Sequence, residues 1–150
     1  MTLLVHLLFG AAIGSAVNNI PLAIILAFLS HYFLDIIPHI EYPMENIEKK
    51  QWRKILPDAL KIILDFCLGI LFISIFSNSF GQQIIYICTL LAILPDGLTL
   101  LNHFAPNIIL DVHDKFHKKI HFLENKKISA FWRINSQVLV VIVSILLLKI

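Results

Sequence analysis

The chain has 150 residues, 58% of them hydrophobic and only 15% charged, with a net charge of +2 and a mean hydropathy of +0.83. An ordinary globular domain is roughly 45–50% apolar and about 25% charged, so this balance points to an integral membrane protein rather than a soluble one. The lysines and arginines are not interleaved with stacking aromatics, which argues against a nucleic-acid partner.

Five apolar segments follow one another, at about residues 2–18, 20–38, 57–77, 82–101 and 131–149. Each approaches the ~20 residues a spanning helix needs, and the first two are short enough to admit re-entrant or strongly tilted variants. The expected fold is a single all-α domain over residues 1–150: an integral membrane bundle of about five transmembrane helices, with a cytoplasmic amphipathic helix before the last.

The first segment carries His6. Gly14-Ser15-Ala16 resembles a signal-peptide cleavage site, but no Lys or Arg precedes the apolar run, so a retained helix is expected. After the tight Asn18-Asn19 connection, the second segment ends in Ser30-His31-Tyr32-Phe33-Leu34-Asp35-Ile36-Ile37-Pro38-His39. The i, i+4, i+8 spacing of His31, Asp35 and His39 puts all three on one face of a helix. Glu41, Glu45, Glu48, Lys49 and Lys50 read as a solvated turn and helix start. The third segment has Asp58 at its mouth and Asp65 on the same face. Cys67 and Cys88, in different apolar segments, read as small buried hydrophobes.

In the fourth segment Pro95 and Gly97 flank Asp96. A helix ending at Leu94 would be short for a span, so a kink is expected instead. The first two segments and the next two both form hairpins whose second helix ends in a Pro-linked aspartate followed by a histidine, His39 and His103, a faint internal repeat. Residues 107–123 have partial helical period, with Asp111, Asp114, Lys115, Lys118 and Lys119 opposite an apolar stripe. They read as an amphipathic helix on the bilayer surface or capping the bundle. It carries a second i, i+4, i+8 set, His113, His117 and His121, which would form either a lid over the site or an interfacial face. Trp52, Trp132, Tyr32 and Tyr42 read as interfacial anchors.

Eleven of the twelve basic residues fall in or beside the two long polar connections, and only Lys149 escapes. The positive-inside rule makes that side cytoplasmic, with the N-terminus on it. His6, His31, Asp35, Asp65 and Asp96 then come from four helices yet share one depth band near the cytoplasmic face. Ionisable groups inside a membrane segment are functional suspects by default. Neutral imidazole and carboxylate together suit a divalent metal, Zn²⁺ first, with Mn²⁺ or Fe²⁺ as alternatives. His31, Asp35, Asp96 and His103 are the candidate ligands, His6 a ligand or its neighbour, and His39 a rim residue. Asp65 is the candidate for orienting a ligand histidine or acting as general base. Two other readings of the same residues are polar groups that fix helix packing and a metal or proton conduit.

The stretches His6-Leu7-Leu8-Phe9-Gly10, Ser30 to His39 and Leu94-Pro95-Asp96-Gly97 resemble small bacterial inner-membrane proteins described as membrane-bound metal-dependent hydrolases. The resemblance covers roughly residues 3–103 and implies His6, His31, Asp35 and Asp96 as the metal-centred set. The chain departs from that family in lacking an Arg-Gly-x-Thr-His-Ser stretch: its only arginines, Arg53 and Arg133, are not followed by glycine. The expectation is a metal-dependent hydrolase in a bacterial-type inner membrane, with membrane lipids as its surroundings. The site's depth points to a lipid-like or amphiphilic ester or phosphoester as substrate.

Overall fold

A computed structural model describes residues 1–40, 52–77, 82–121 and 128–149, without the side chains of 52–54 and 82. The expectations for Glu41, Tyr42, Glu45, Glu48, Lys49 and Lys50, and for the side chain of Trp52, lie outside this set. The described residues form six helices and no strand: α1 (Leu3–Ala16), α2 (Ile20–Ile36), α3 (Trp52–Phe76), α4 (Gln82–Phe104), α5 (Ile108–Ile120) and α6 (Ala130–Leu148).

Three of them are long and apolar enough to cross a membrane, through Ile55–Phe76, Gln83–Phe104 and Ala130–Leu148. That is fewer than the five spans expected. With 14 and 17 residues, α1 and α2 fall short of a hydrocarbon core ~30 Å thick, because a helix rises only ~1.5 Å per residue. Local chemistry sets both lengths. The chain leaves α1 at Val17 in an extended conformation, and the Asn19 side chain then accepts the Leu22 amide to open α2, with Pro21 in its first turn. At the far end Pro38 disfavours helical backbone at Ile37, whose ψ of 138° stops α2 before the expected residue 38. The other helices run longer than their apolar cores: α3 starts upstream of Pro57 and α4 continues through Pro95 to Phe104.

The shortest of the apolar helices, α1, is also the most enclosed. It packs against α2, α3, α4 and α6, and Leu7, Leu8, Ala11 and Ala12 sit in a cluster with Ile73, Ile85 and Leu148. A helix apolar on all sides is expected to be buried on all sides. Between apolar helices in lipid, close van der Waals fit replaces the hydrophobic effect as the force that holds them together. Gly10 and Gly14, four residues apart, supply that fit against α4. A Cβ at Gly10 would lie 2.6 Å from the Ala92 Cβ and 2.7 Å from the Cys88 carbonyl oxygen, and one at Gly14 would lie 2.8 Å from the Ile85 Cα. Ala23 and Ala27 bring α2 against the same Cys88. Cys88 is therefore buried as expected, whereas Cys67 is exposed on the outer face of α3.

Large apolar side chains cover the outside of the longer helices, among them Leu60, Ile63, Leu71, Leu90, Leu139 and Leu146. An apolar surface this extensive fits a lipid surround. Hydroxyls within the helices bond back into their own turns: Ser74 to the Ile70 carbonyl, Thr89 to Ile85 and Ser144 to Val140.

Candidate metal centre

α5 decides the architecture of the polar centre. Asn107 caps it, its Oδ1 accepting the Ile109 and Leu110 amides at 3.0 Å each, and Asn102 of α4 donates to Asp111 at 2.9 Å. It packs on α4 and α2 with its polar side inward. Leu110, Asp114 and His117 are buried, while Ile108, Ile109, Val112 and Phe116 point outward. α5 is thus a cap on the bundle that turns Leu110, Asp114 and His117 inward and exposes Lys115, Lys118 and Lys119 beside those apolar residues.

His117 and His121 reach from this cap to Asp35 of α2. The Asp35 Oδ2 lies 3.0 Å from His31 Nε2 and 3.2 Å from the Nε2 of both His117 and His121. Its Oδ1 lies 3.1 Å from His6 Nε2, 3.9 Å from His39 Nε2 and 2.6 Å from the Met1 nitrogen. Asp96 of α4 completes one flank, its Oδ1 3.6 Å from His31 Nε2 and 3.7 Å from His117 Nε2. The side chains of His31 and Asp35 are fully buried, while that of Asp96 is 38% exposed, so the centre opens at Asp96. The neighbouring Gly97 borders open space: a Cβ there would meet nothing within 4 Å.

The tautomers can be argued from the partners. His31 Nδ1 is 2.8 Å from the Ala92 carbonyl oxygen, which can only accept, so Nδ1 carries the proton and a neutral ring presents its Nε2 lone pair to the centre. Yet His31 Nε2 sits 2.9 Å from His117 Nε2 and 3.0 Å from a carboxylate oxygen. A proton on His117 Nε2 joins these atoms by hydrogen bonds, and a cation between them would hold the same three atoms in its place.

The spacing fits such a cation. Metal–ligand bonds of ~2.0–2.2 Å give a tetrahedron with edges of roughly 3.3–3.6 Å. His31 and His117 lie 3.6 and 3.7 Å from Asp96, close to such an edge, while the contacts among His31, Asp35 and His117 are 2.9–3.2 Å and would open by a few tenths of an ångström around an ion. These four residues, and separately Asp35, His39 and His121, are groups whose ligand atoms lie close enough together to hold a metal ion. Buried His6 stacks on His31 with ring centroids 4.2 Å apart, and neither of its nitrogens makes an aligned hydrogen bond, although Nε2 is near Asp35.

The structure therefore brings His31, Asp35 and Asp96 together as the sequence predicts, with His6 against Asp35 but outside both groups. His103 belongs to neither group and lies in the last turn of α4, and His117, expected at the lid, reaches from the cap into the first group. His39 comes near Asp35 by another route than the helical face, because α2 has ended. The chain turns at Pro38, whose carbonyl accepts the Ser136 hydroxyl, and His39 Nδ1 bonds the Ile37 carbonyl at 2.6 Å.

Asp65 is placed elsewhere: its Oδ2 accepts the Leu4 amide at 2.8 Å. Thr2 provides no side-chain cap for α1, so Asp65 of α3 and Gln137 of α6, which accepts the Thr2 amide, satisfy the donors at that end. Tyr32, expected as an anchor, instead pairs its hydroxyl with His113 Nε2 at 3.1 Å. Burial, followed by the nearby His117 and His31, holds the His113 imidazole below its ordinary pKa, and the neutral ring can accept that hydroxyl proton. Thr99 approaches His117 Nδ1 at 3.2 Å. Comparison of the chain with known protein families, with curated proteins and with solved structures found no match.

Proposed function

We propose that the protein is a membrane-bound metal-dependent hydrolase, acting on a lipid-like or amphiphilic ester or phosphoester from the cytoplasmic side of a bacterial-type inner membrane. The observation that carries this reading is the convergence of one ligand atom each from His31, Asp35, Asp96 and His117, all within 4.8 Å of one another. The one-sided distribution of lysine and arginine supports the orientation, with the N-terminus cytoplasmic. Zn²⁺ fits a donor set of two imidazoles and two carboxylates, and Mn²⁺ or Fe²⁺ accept the same donors.

A bound divalent ion would supply Lewis-acid polarisation and a water of lowered pKa. The chain's own groups do the rest. Asp35, His31 and His117 hold the buried side and exclude water from it. Asp96, the 38% exposed carboxylate, faces the imidazoles with Oδ1, and its second oxygen is the acceptor for a proton released at the open flank. Tyr32 and His113 form a second proton-holding pair between α2 and α5, and Thr99 steadies His117. Gly97 leaves the approach beside Asp96 unobstructed.

The test is hydrolysis of a panel of phospholipids and fatty-acyl esters in mixed micelles by protein purified without a histidine tag. Activity is expected to vanish on chelation, to return with Zn²⁺ or Mn²⁺, and to be absent from His31→Ala and Asp35→Asn. Protein that binds metal yet cleaves nothing in the panel would defeat the hydrolase reading and leave the ion a structural role. Protein that binds no metal would defeat it at the first step.

A further inference from the structure

We propose that the centre holds two divalent cations rather than one, bridged by the carboxylate of Asp35. This rests on the metal-dependent reading above and extends it.

The two groups of mutually close ligand atoms, His31-Asp35-Asp96-His117 and Asp35-His39-His121, share only Asp35. The two oxygens of Asp35 face different partners. His31, His117 and His121 gather on Oδ2, whereas His6, His39 and the Met1 ammonium gather on Oδ1, the ammonium at 2.6 Å, and a cation on Oδ1 would take the ammonium's place. Five imidazoles and a second carboxylate around one carboxylate exceed what a single four-coordinate ion uses.

His39 repeats the logic of His31. Its Nδ1 is engaged by the Ile37 carbonyl, so the neutral ring turns its Nε2 lone pair toward Asp35 Oδ1 at 3.9 Å. That distance is too long for a hydrogen bond. It does suit two ligand atoms on either side of a cation, each bonded at ~2.0–2.2 Å across a wide angle. His121, 3.2 Å from Asp35 Oδ2 and 3.3 Å from His117 Nε2, stands at the boundary of the two groups. His6, fully buried and without an aligned hydrogen bond, is a further donor on the Oδ1 side. The second position is thus built from α2 and its C-terminal turn, α1 and the end of α5. The first is built from α2, α4 and the middle of α5.

The experiment is metal counting on the full chain in detergent, without a histidine tag, stripped by chelator, reloaded with Mn²⁺ and in parallel with Zn²⁺, and freed of excess ion. Elemental analysis is expected to give two ions per chain, and the Mn²⁺ form a spin-coupled paramagnetic resonance spectrum. His39→Ala and His121→Ala are each expected to retain one ion with an uncoupled spectrum, while Asp35→Asn loses both. One ion per wild-type chain with an uncoupled signal would overturn the two-ion centre and leave the hydrolase reading standing. No ion at all would overturn both. Two ions retained in the His39→Ala, His121→Ala double variant would overturn the second position. The wild-type count and spectrum decide the question even if a variant fails to fold.

Discussion

The sharpest test of the packing is Gly10→Ala, read against Gly97→Ala. Both glycines lie within helices, so each replacement removes a glycine penalty of about 1 kcal/mol. They differ in what the new methyl group meets. At Gly97 it meets nothing within 4 Å, whereas at Gly10 it would stand 2.6 Å from the Ala92 Cβ and 2.7 Å from a backbone oxygen of α4. Carbon atoms rest at ~3.5–4.0 Å, so α1 and α4 must part by about 1 Å. Overpacking of this kind costs roughly 1–3 kcal/mol, which cancels or exceeds the propensity gain. Gly97→Ala is thus expected to be the more stable protein by about 1–3 kcal/mol. The effect should also reach the metal centre. Ala92 carries the carbonyl that takes the His31 Nδ1 proton at 2.8 Å, and a displacement of about 1 Å lengthens that contact beyond hydrogen-bonding range. Thermal unfolding of both variants in one detergent, followed by circular dichroism, gives the stability difference, and metal titration gives the coupling. Equal melting of Gly10→Ala and Gly97→Ala would refute the close approach of α1 to α4 and the argument that runs through it.

Asp65→Ala is expected to cost roughly 1–3 kcal/mol of stability through the uncapped Leu4 amide while leaving metal content unchanged; loss of bound metal would return Asp65 to the centre. Asn107→Ala should destabilise α5 by about 0.5–2 kcal/mol, seen as faster amide hydrogen exchange across residues 108–112, and unchanged exchange would contradict the cap. Cys88→Leu should overpack the contact of α1, α2 and α4 and cost roughly 1–3 kcal/mol in thermal unfolding, while Cys67→Leu on the outer face of α3 should melt like the parent; equal melting of the two would contradict the seating of Cys88.

Helices were legible wherever apolar length and breakers agreed. Asn18-Asn19 and Pro38 marked real ends, and Pro95 was rightly read as lying inside a helix that continues past it. The number of long spans was not legible, because apolar composition is the same whether a segment faces lipid or other helices. α1 looks like a short span and is an enclosed core helix; its Gly10-x-x-x-Gly14 spacing was the signal for that, and it went unused. The centre was half legible. His31, Asp35 and Asp96 shared a depth, and that was enough to group them. Depth also admitted Asp65, because a carboxylate that caps a neighbouring helix sits at the same height as one beside imidazoles. His117 was expected in a lid or an interfacial face, and α5 does cap the bundle; that its histidines meet Asp35, 82 residues before His117 in the chain, is a contact that spacing along one helix cannot reveal.

The enclosure of α1 has a consequence for biogenesis. Within this chain α1 is the first helix to be synthesised, and its faces are covered by α2, α3, α4 and finally α6, which is made last. Contacts between such distant segments close late in folding. Until residues 130–148 are in place, the side of α1 that carries Val5 lacks Val140 and Val141, and the Thr2 amide waits for Gln137. Assembly of the bundle is therefore tied to synthesis of α6, and a nascent protein halted before it would hold an inner helix with one side still uncovered.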